Sequence, residues 1–180
     1  MFGLNLVVHK GKTIFVGDTS VNEYPSSEQL AEIAISTARV VRLFGFDPKV
    51  AFVSHSTFGQ PLTSRTKHIK NAVEILKKKN VNFEFDGDMQ PDVALNEDYR
   101  NLYPFSKIVG NANILIMPGQ HSAAISYKMM KTLGDTKVIG PLLIGLGLPI
   151  EIAPLRSSTS EILNLASIAA YSADVIDYKK

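Results

Sequence analysis

Short apolar segments alternate along the chain with longer stretches in which apolar residues recur at helical spacing. Strands are predicted at residues 4–8, 13–16, 49–54, 81–85, 113–117, 137–139 and 150–152, and helices at 26–45, 65–79, 122–133 and 162–173. A connection between parallel strands needs a dozen or more residues, and a helix is its usual form. The alternation therefore predicts an α/β protein with a mainly parallel, doubly wound sheet and helices on both faces.

Local signals refine this prediction near both ends of the chain. The Lys-Gly-Lys segment at residues 10–12 lies between two β-rich runs and predicts an N-terminal β-hairpin. Ser26 with Gln29, and Ser158 with Glu161, have the spacing of a capping box. Each pair therefore predicts the start of a helix.

Composition excludes several classes of protein. With 180 residues, the chain can bury about 70% of its unfolded surface, so it needs neither a disulfide nor a metal ion to fold. The absence of cysteine excludes a disulfide framework, thiolate zinc sites and a cysteine nucleophile. A net charge of +2 is too balanced for an electrostatic nucleic-acid binder. The longest apolar run, residues 141–150, is too short to span a membrane, and residues 1–8 lack the marks of a signal peptide. We therefore expect a cytoplasmic protein with no nucleic-acid or membrane partner.

Four polar loops follow predicted strands, at residues 18–22, 54–60, 86–92 and 119–122. Ligands of doubly wound sheets bind beyond the carboxyl ends of the strands, so these loops form the candidate site. In the second loop, the hydroxyls of Ser56 and Thr57 and the N–H of Gly59 can donate to a phosphate. The same residue types also form ordinary turns, so both interpretations remain open.

The third and fourth loops carry carboxylates and a histidine. Residues 86–91 are predicted to form a polar turn, and Asp86, Asp88 and Asp92 could serve there as acid and base. A calcium loop would need a glutamate further on, which is missing, so a turn that caps the next helix is favoured. His121 could contact a ligand, although a polar residue at a helix start is the simpler interpretation. No two histidines have the His-x-x-x-His spacing of a helical metal site, and no metal is expected.

Five segments in sequence order match the motifs of one family. They are FVGDTSVN at 15–22, FDGDMQPDVAL at 85–95, GNANILIMP at 110–118, ISYK at 125–128 and IGPLLIGL at 139–146. By these motifs the chain resembles the phosphate acetyl/butyryltransferase family. Within that family, VNEYP at 21–25 and LYPFS at 102–106 are similar to the C-terminal phosphotransacetylase-like region of bacterial NADP-dependent malic enzymes.

The resemblance implies a domain organisation. Residues 1–155 would form the phosphotransacetylase-like second lobe. Residues 156–180 would form a closing helix that belongs to the first lobe in the full-length family domain. The sequence is therefore expected to be a fragment of a longer protein.

The resemblance also bears on catalysis. Active members of the family carry a catalytic serine, an arginine that binds the acyl phosphate and an aspartate. An ungapped alignment puts Pro154, Leu155 and Glu161 at these positions. Proline has no hydroxyl, and leucine cannot neutralise phosphate charge. A one-residue gap restores an arginine at Arg156 but not the serine, so the resemblance implies that no catalytic residue remains.

The function implied by the resemblance is regulatory. The region is expected to sense acetyl-CoA and to form a homo-oligomer, as a dimer through the second lobe. The parent would be an NADP-dependent malic enzyme, an oxidoreductase whose NADP and divalent metal bind in the missing N-terminal domain. Two alternatives remain open: an active phosphate acyltransferase that moves an acyl group between CoA and phosphate, and an assembly module without a ligand.

Any remaining ligand contact is expected at six residues. They are Ser56, Thr57 and Gly59, with Asn111, Tyr127 and Lys128 nearby. Consecutive residues on a helix do not face the same point. Lys128 is therefore expected to make the charge contact, and Tyr127 is expected to pack.

Overall fold

The computed structural model describes residues 1–59 and 63–175, the side chain of Arg65 excepted. The strands are β1 (Phe2–His9), β2 (Lys12–Gly17), β3 (Lys49–Val53), β4 (Glu84–Met89), β5 (Ile114–Ile116) and β6 (Thr136–Ile144). The helices are α1 (Ser27–Leu43), α2 (Ser64–Lys79), α3 (Pro91–Leu95), α4 (Glu97–Arg100), α5 (Gln120–Leu133) and α6 (Thr159–Val175). None of these helices combines the length and the apolar content that a bilayer crossing requires.

The six strands form one mixed sheet in the order β4-β3-β5-β2-β1-β6. Strands β4, β3, β5 and β2 are parallel, whereas β1 runs antiparallel to both β2 and β6. The predicted N-terminal hairpin and the α/β class are confirmed. Because β1 is the one reversed strand, the carboxyl ends of the other five lie at the same edge, called here the carboxyl edge.

Helices cover both faces of the sheet, as the alternation predicts. Successive strand residues enter different cores: Phe52 packs in the first and Val53 in the second. Leu30 of α1, Leu76 of α2 and Leu165 of α6 pack in the first core. The second core is covered by α3 and α5. Period-two alternation along each strand is the reason that one sheet supplies two cores.

Both predicted capping boxes are present. At α1, the Ser26 hydroxyl accepts from the Gln29 N–H at 3.2 Å, and the Gln29 side chain accepts from the Ser26 N–H at 2.7 Å. At α6, the Glu161 carboxylate accepts from the Ser158 N–H at 2.8 Å, while the Ser158 hydroxyl accepts from the Glu161 N–H at 3.3 Å. Such caps contribute about 1 kcal/mol each.

The prediction of a polar turn at residues 86–91 is wrong. Asp86 and Gly87 lie inside β4, where they pair with Ala51 and Phe52 of β3. A Cβ at Gly87 would come within 2.7 Å of the Phe52 Cβ, so glycine permits this close pairing. Backbone pairing with the buried strand β3 outweighs the preference of the aspartates for a turn. Sequence spacing cannot reveal this pairing.

The end of the sheet also differs from the prediction. The short strand predicted at 137–139 is part of the nine-residue β6, because β1 offers a partner along that whole length. The strand predicted at 150–152 is reduced to a single bridge between Glu151 and Leu142. The division into lobes at residue 155 stays a prediction. The last five residues of the predicted closing helix, 176–180, lie outside the described part of the chain.

Candidate functional site

The loop after β3 is held against the end of β4. The Ser56 hydroxyl donates to Asp88 Oδ2 at 2.8 Å, and the Phe58 N–H donates to the Asp88 carbonyl at 2.6 Å. Ser56 and Asp88 are 2% and 1% exposed. A hydroxyl has one hydrogen to donate, so that of Ser56 is committed to Asp88 rather than to a ligand.

Thr57 and Gly59 belong to the same loop, and their predicted contacts with a ligand stay predictions. Thr57 Oγ1 accepts from the Gln90 N–H at 3.2 Å, which leaves its own hydrogen for another acceptor. Gly59 has φ of +80° and open space where a side chain would lie, so a ligand can approach its backbone. Gln60, the last residue of the predicted loop, lies outside the described residues.

The loop after β2 is organised by a carboxylate that the motif search did not single out. Asp18 is 2% exposed and accepts from the N–H groups of Gly3, Ser20, Val21 and Asn22 at 2.8–3.2 Å. The Asn22 side-chain amide also donates to Asp18. A carboxylate has about four acceptor sites, so these donors saturate it. Asp18 is therefore a loop anchor. An aspartate followed by small polar residues at a strand end was the available sequence signal.

A cleft of about 420 Å³ opens where the N-termini of α1, α2 and α5 converge at the carboxyl edge. Its lining comprises Glu23, Tyr24, Pro25, Ser26, Ser64, His68, Pro118, Gly119, His121 and Ser122. His68 Nε2 donates to the Pro25 carbonyl at 2.8 Å, and its Nδ1 lies 3.0 Å from Ser27 Oγ. Helix N-termini favour negative charge, so the cleft suits an anionic group. Only the fold assembles it, because its residues come from three separate segments.

Asn111 precedes β5, and its predicted contact with a ligand stays a prediction. Asn113, two residues further on, accepts through Oδ1 from the N–H of Lys49, the first residue of β3, at 2.8 Å. This contact lies at the amino end of β3, whereas Ser56 follows its carboxyl end. Because β3 and β5 are parallel, Asn113, directly before β5, lies at the edge opposite Ser56.

Tyr127 and Lys128 lie two turns along α5. The Tyr127 ring packs against the second core, so its predicted packing role is confirmed. Lys128 is exposed, with Nζ 6.0 Å from the Tyr127 ring centroid. Since α5 begins at the carboxyl edge and rises 1.5 Å per residue, Lys128 is about 12 Å from that edge. Its charge contact with a ligand stays a prediction.

The positions aligned with the family's serine and arginine are on the surface. Pro154 and Leu155 are both exposed, and neither has a polar side-chain atom. Glu161 accepts from Lys131 Nζ at 2.6 Å, and the Lys131 bond followed by the Ser158 bonds lowers the pKa of Glu161 to about 2. This carboxylate therefore caps α6 and links it to α5.

A second cavity, of about 590 Å³, lies between α1, β6 and α6. Glu151 is half-buried in its wall. Burial raises the pKa of Glu151 to about 7, although the bond that its carboxylate accepts from the Leu143 N–H acts in the opposite direction. Arg39 lines the same cavity, and the Tyr171 hydroxyl beside it donates to the Leu43 carbonyl at 3.0 Å. Sequence reasoning missed Glu151 because an acidic residue after an apolar run carries no motif.

The three aspartates of the predicted third loop do not converge. Asp86 accepts from the N–H groups of Gly87 and Lys107, and Asp92 from that of Val93, whereas Asp88 accepts from Ser56. Within residues 1–59 and 63–175, no three acidic or histidine side chains are grouped as metal ligands. These aspartates stabilise β4 and its surroundings as hydrogen-bond acceptors.

The fold and its carboxyl-edge loops define a class of protein. The family model described as phosphate acetyl/butaryl transferase matches residues 1–170, so the chain belongs to this family. It is 44% identical over 173 residues to the NADP-dependent malic enzyme of Rhizobium meliloti, covering 96% of this chain and 23% of that protein. It is 36% identical over 162 residues to the phosphate acetyltransferase of Clostridium acetobutylicum, covering 89% of this chain and 49% of that protein.

Solved structures agree with the family. A phosphotransacetylase from Streptococcus pyogenes superposes with a TM-score of 0.89 at 33% identity, covering 96% of this chain and 54% of the other. The EutD phosphotransacetylase from Staphylococcus aureus superposes with a TM-score of 0.87 at 29% identity, covering 96% of this chain and 54% of the other. The chain thus spans about half the length of these phosphotransacetylases and about a quarter of the malic enzyme.

Proposed function

We propose that this chain is the phosphotransacetylase-like C-terminal region of an NADP-dependent malic enzyme, and that it binds acetyl-CoA without transferring the acetyl group. The observation that carries the proposal is the 44% identity to a malic enzyme over 96% of the chain. The exposed Pro154 and Leu155 at the family's serine and arginine positions support the lack of transfer.

The chemistry of acyl transfer explains why this substitution matters. Charge develops on oxygen as the acyl carbon is attacked, and fixed donors must stabilise that charge. Removing one such donor typically costs a factor of about 10²–10³ in rate. Proline and leucine supply neither a hydroxyl nor a cation.

Binding of acetyl-CoA does not need those catalytic groups. The Thr57 hydroxyl keeps its hydrogen for a further acceptor, and the Gly59 backbone has open space beside it, at the carboxyl edge where α/β sheets bind ligands. The cleft at the N-termini of α1, α2 and α5 adds donors for a phosphate. Lys128 would contact a ligand that extends along α5.

Regulation would follow from linkage. A ligand that binds one quaternary arrangement better than another shifts the equilibrium between them by its differential affinity. Acetyl-CoA would in this way change the malate-oxidising activity of the parent. The parent's NADP and divalent metal would bind in the part of the polypeptide beyond this region, and this region would contribute to assembly of the oligomer.

Two measurements on the purified chain test this proposal. Isothermal titration should give saturable heat with acetyl-CoA. Incubation with acetyl phosphate and CoA should form no acetyl-CoA above a buffer blank, with the phosphate acetyltransferase of Clostridium acetobutylicum as positive control. Turnover above the blank would refute the proposal, and a silent titration would favour the ligand-free assembly module.

An active phosphate acyltransferase is the second candidate. The 36% identity to a phosphate acetyltransferase favours it, together with the hydroxyl hydrogen that Thr57 keeps for a further acceptor. The same turnover assay separates the two candidates, since an active transferase converts acetyl phosphate and CoA and should lose rate on Thr57→Ala.

A further inference from the structure

The cavity between α1, β6 and α6 has the size and the lining of a small-molecule pocket. Its volume of about 590 Å³ falls within the range of about 300–1,000 Å³ that such pockets occupy. Apolar side chains form most of its wall, among them Val40, Leu43, Phe44, Leu142, Ile144 and Ile168. Among the described residues, it shares no lining residue with the cleft at the carboxyl edge, so it is a separate candidate site.

Arg39 is a free cation in the wall of this cavity. Within residues 1–59 and 63–175, its guanidinium forms no hydrogen bond and no ion pair. Arg42, one turn further along α1, instead donates to the side-chain and backbone carbonyls of Asn82 at 2.9 and 2.6 Å. A guanidinium presents its N–H donors in a planar fork that fits a carboxylate, so Arg39 is available to an anionic group.

Glu151 adds a second polar group that does not oppose an anion in weakly acidic solution. Its Oε2 accepts from the Leu143 N–H at 3.2 Å, and its Oε1 has no hydrogen-bond partner in the part of the chain that the structure describes. Because burial raises the pKa of Glu151 to about 7, this carboxyl is protonated at lower pH and can donate one hydrogen. An organic cation would need the ionised carboxylate, and Arg39 would repel it.

We infer that this cavity binds an aliphatic monocarboxylate of medium chain length. The carboxylate of the ligand pairs with Arg39, which is exposed, and the hydrocarbon chain extends along the apolar wall. Each methylene that leaves water strengthens binding about fourfold. The inference goes beyond the proposed function, because it assigns a second ligand to a cavity that is separate from the candidate acetyl-CoA site.

Isothermal titration with octanoate at about pH 6, where a free carboxylate is ionised, tests the inference. Octanoate should bind saturably. Butyrate, whose chain is four methylenes shorter, should bind at least about 100-fold more weakly. Octanol lacks the charge and octylammonium reverses it, so both should bind more weakly than octanoate. Absence of saturable octanoate binding, or tighter binding of octylammonium, would overturn the inference.

Arg39→Gln removes the cation and should weaken octanoate binding roughly tenfold or more, the effect of losing a charge-assisted hydrogen bond. The affinity for octanol should not change. Arg42→Gln is the matched control, because it removes the same charge from the same helix outside the cavity lining. It should bind octanoate as wild type does, and circular dichroism should show that both variants fold. Equal losses in the two variants would contradict the contact with Arg39.

The pH dependence of binding tests the role of Glu151. The other ionisable groups that line the cavity are Arg39 of α1 and Tyr171 of α6, and the lining residues of β6 include none. Above about pH 7 the ionised Glu151 repels the ligand, so octanoate should bind roughly tenfold more weakly at about pH 8.5 than at about pH 6. Glu151→Gln should bind octanoate equally at both pH values. An unchanged pH dependence in this variant would contradict the role of Glu151.

Two further measurements place the ligand in the cavity. Ser172→Trp fills the cavity from α6 and should abolish octanoate binding, whereas Ala173→Trp, at the exposed next residue outside the lining, should not. Acetyl-CoA should leave octanoate affinity unchanged. Octanoate binding that survives Ser172→Trp, or that acetyl-CoA displaces, would overturn the inference. A chain that binds octanoate and not acetyl-CoA would refute the proposed function alone.

Discussion

Two buried carboxylates at the carboxyl edge differ in the hydrogen bonds that they accept. Asp18 accepts from four backbone N–H groups, whereas Asp88 accepts from the Ser56 hydroxyl. A buried charge is tolerated only when hydrogen bonds replace its hydration. The first arrangement fixes the loop after β2, and the second fixes the loop that presents Thr57.

Asp18→Ala should lower the free energy of unfolding by about 3 kcal/mol, because several backbone N–H groups lose their acceptor in a buried loop. Urea unfolding measures the change. Asp135→Ala is the control, since Asp135 is an exposed aspartate before β6. Equal urea midpoints for Asp18→Ala and Asp135→Ala would show that the hydrogen bonds of Asp18 contribute little to stability.

Thr57→Ala should weaken acetyl-CoA binding by roughly ten- to a hundredfold, the effect of losing a charge-assisted hydrogen bond. Titration calorimetry measures the affinity. Thr132→Ala removes a hydroxyl that donates within α5 and should bind as wild type. If Thr57→Ala keeps its fold and full affinity, the ligand lies elsewhere.

At the scale of elements, α1 and α2 are joined by one histidine. His68 in α2 contacts the Pro25 carbonyl and Ser27 Oγ at the start of α1. The His68 carbonyl, 2.9 Å from the Ser27 hydroxyl, is an alternative acceptor for the single hydrogen of that hydroxyl. The imidazole thus holds two helix N-termini at the spacing that opens the cleft between them.

His68→Ala should reduce the free energy of unfolding by about 1–2 kcal/mol, because two hydrogen bonds of about 1 kcal/mol each are lost. Chemical denaturation measures this effect. His121→Ala, an exposed histidine of the same cleft, should leave stability unchanged. A loss of equal size in both variants would indicate a general effect of the cleft and not the link between the helices.

At the scale of the whole molecule, the two margins of the sheet differ. Beside β4, the second core is extended by α3 and by the segment that follows α3. Arg100 lies in the interior there and donates to the carbonyls of Ile108, Val93 and Ala94. At β6, α6 covers the first core and encloses the cavity that contains Glu151. A half-buried carboxylate at this margin makes stability depend on pH.

Glu151 should destabilise the fold as pH rises. Its pKa is about 7 in the folded state against 4.5 in the unfolded chain. Between pH 4.5 and about pH 7, Glu151 is protonated in the folded state and ionised in the unfolded chain. The free energy of unfolding therefore falls as pH rises through this range and is constant above it. Solvent screening of the half-buried group reduces the effect to the order of 1 kcal/mol.

Thermal unfolding from about pH 2.5 to about pH 8, a range that includes the titrations of both Glu151 and Glu161, tests this dependence. Glu151→Gln should flatten the decline and raise the melting temperature at pH 8. Glu161→Gln is the control with the opposite sign. The pKa of Glu161 is lowered to about 2, so its contribution is present above pH 4.5 and lost as pH falls. Parallel pH profiles for wild type and Glu151→Gln would contradict the assignment.

Local chemistry in the sequence determined much of the fold. Apolar periodicity specified the four long helices and most strands, and the pairs Ser26–Gln29 and Ser158–Glu161 marked two helix starts. These signals act over a few residues, so they can be recognised without coordinates. The family motifs then identified the family to which the chain belongs.

Tertiary structure alone decided the site. It put Asp86 inside β4 and Asn113 at the amino edge, and it paired the hydroxyl of Ser56 with Asp88. Each result depends on strand order and on contacts between residues far apart in the chain. Sequence spacing carries no information on either, because the direction of a strand and the partner of a side chain follow from packing of the whole sheet.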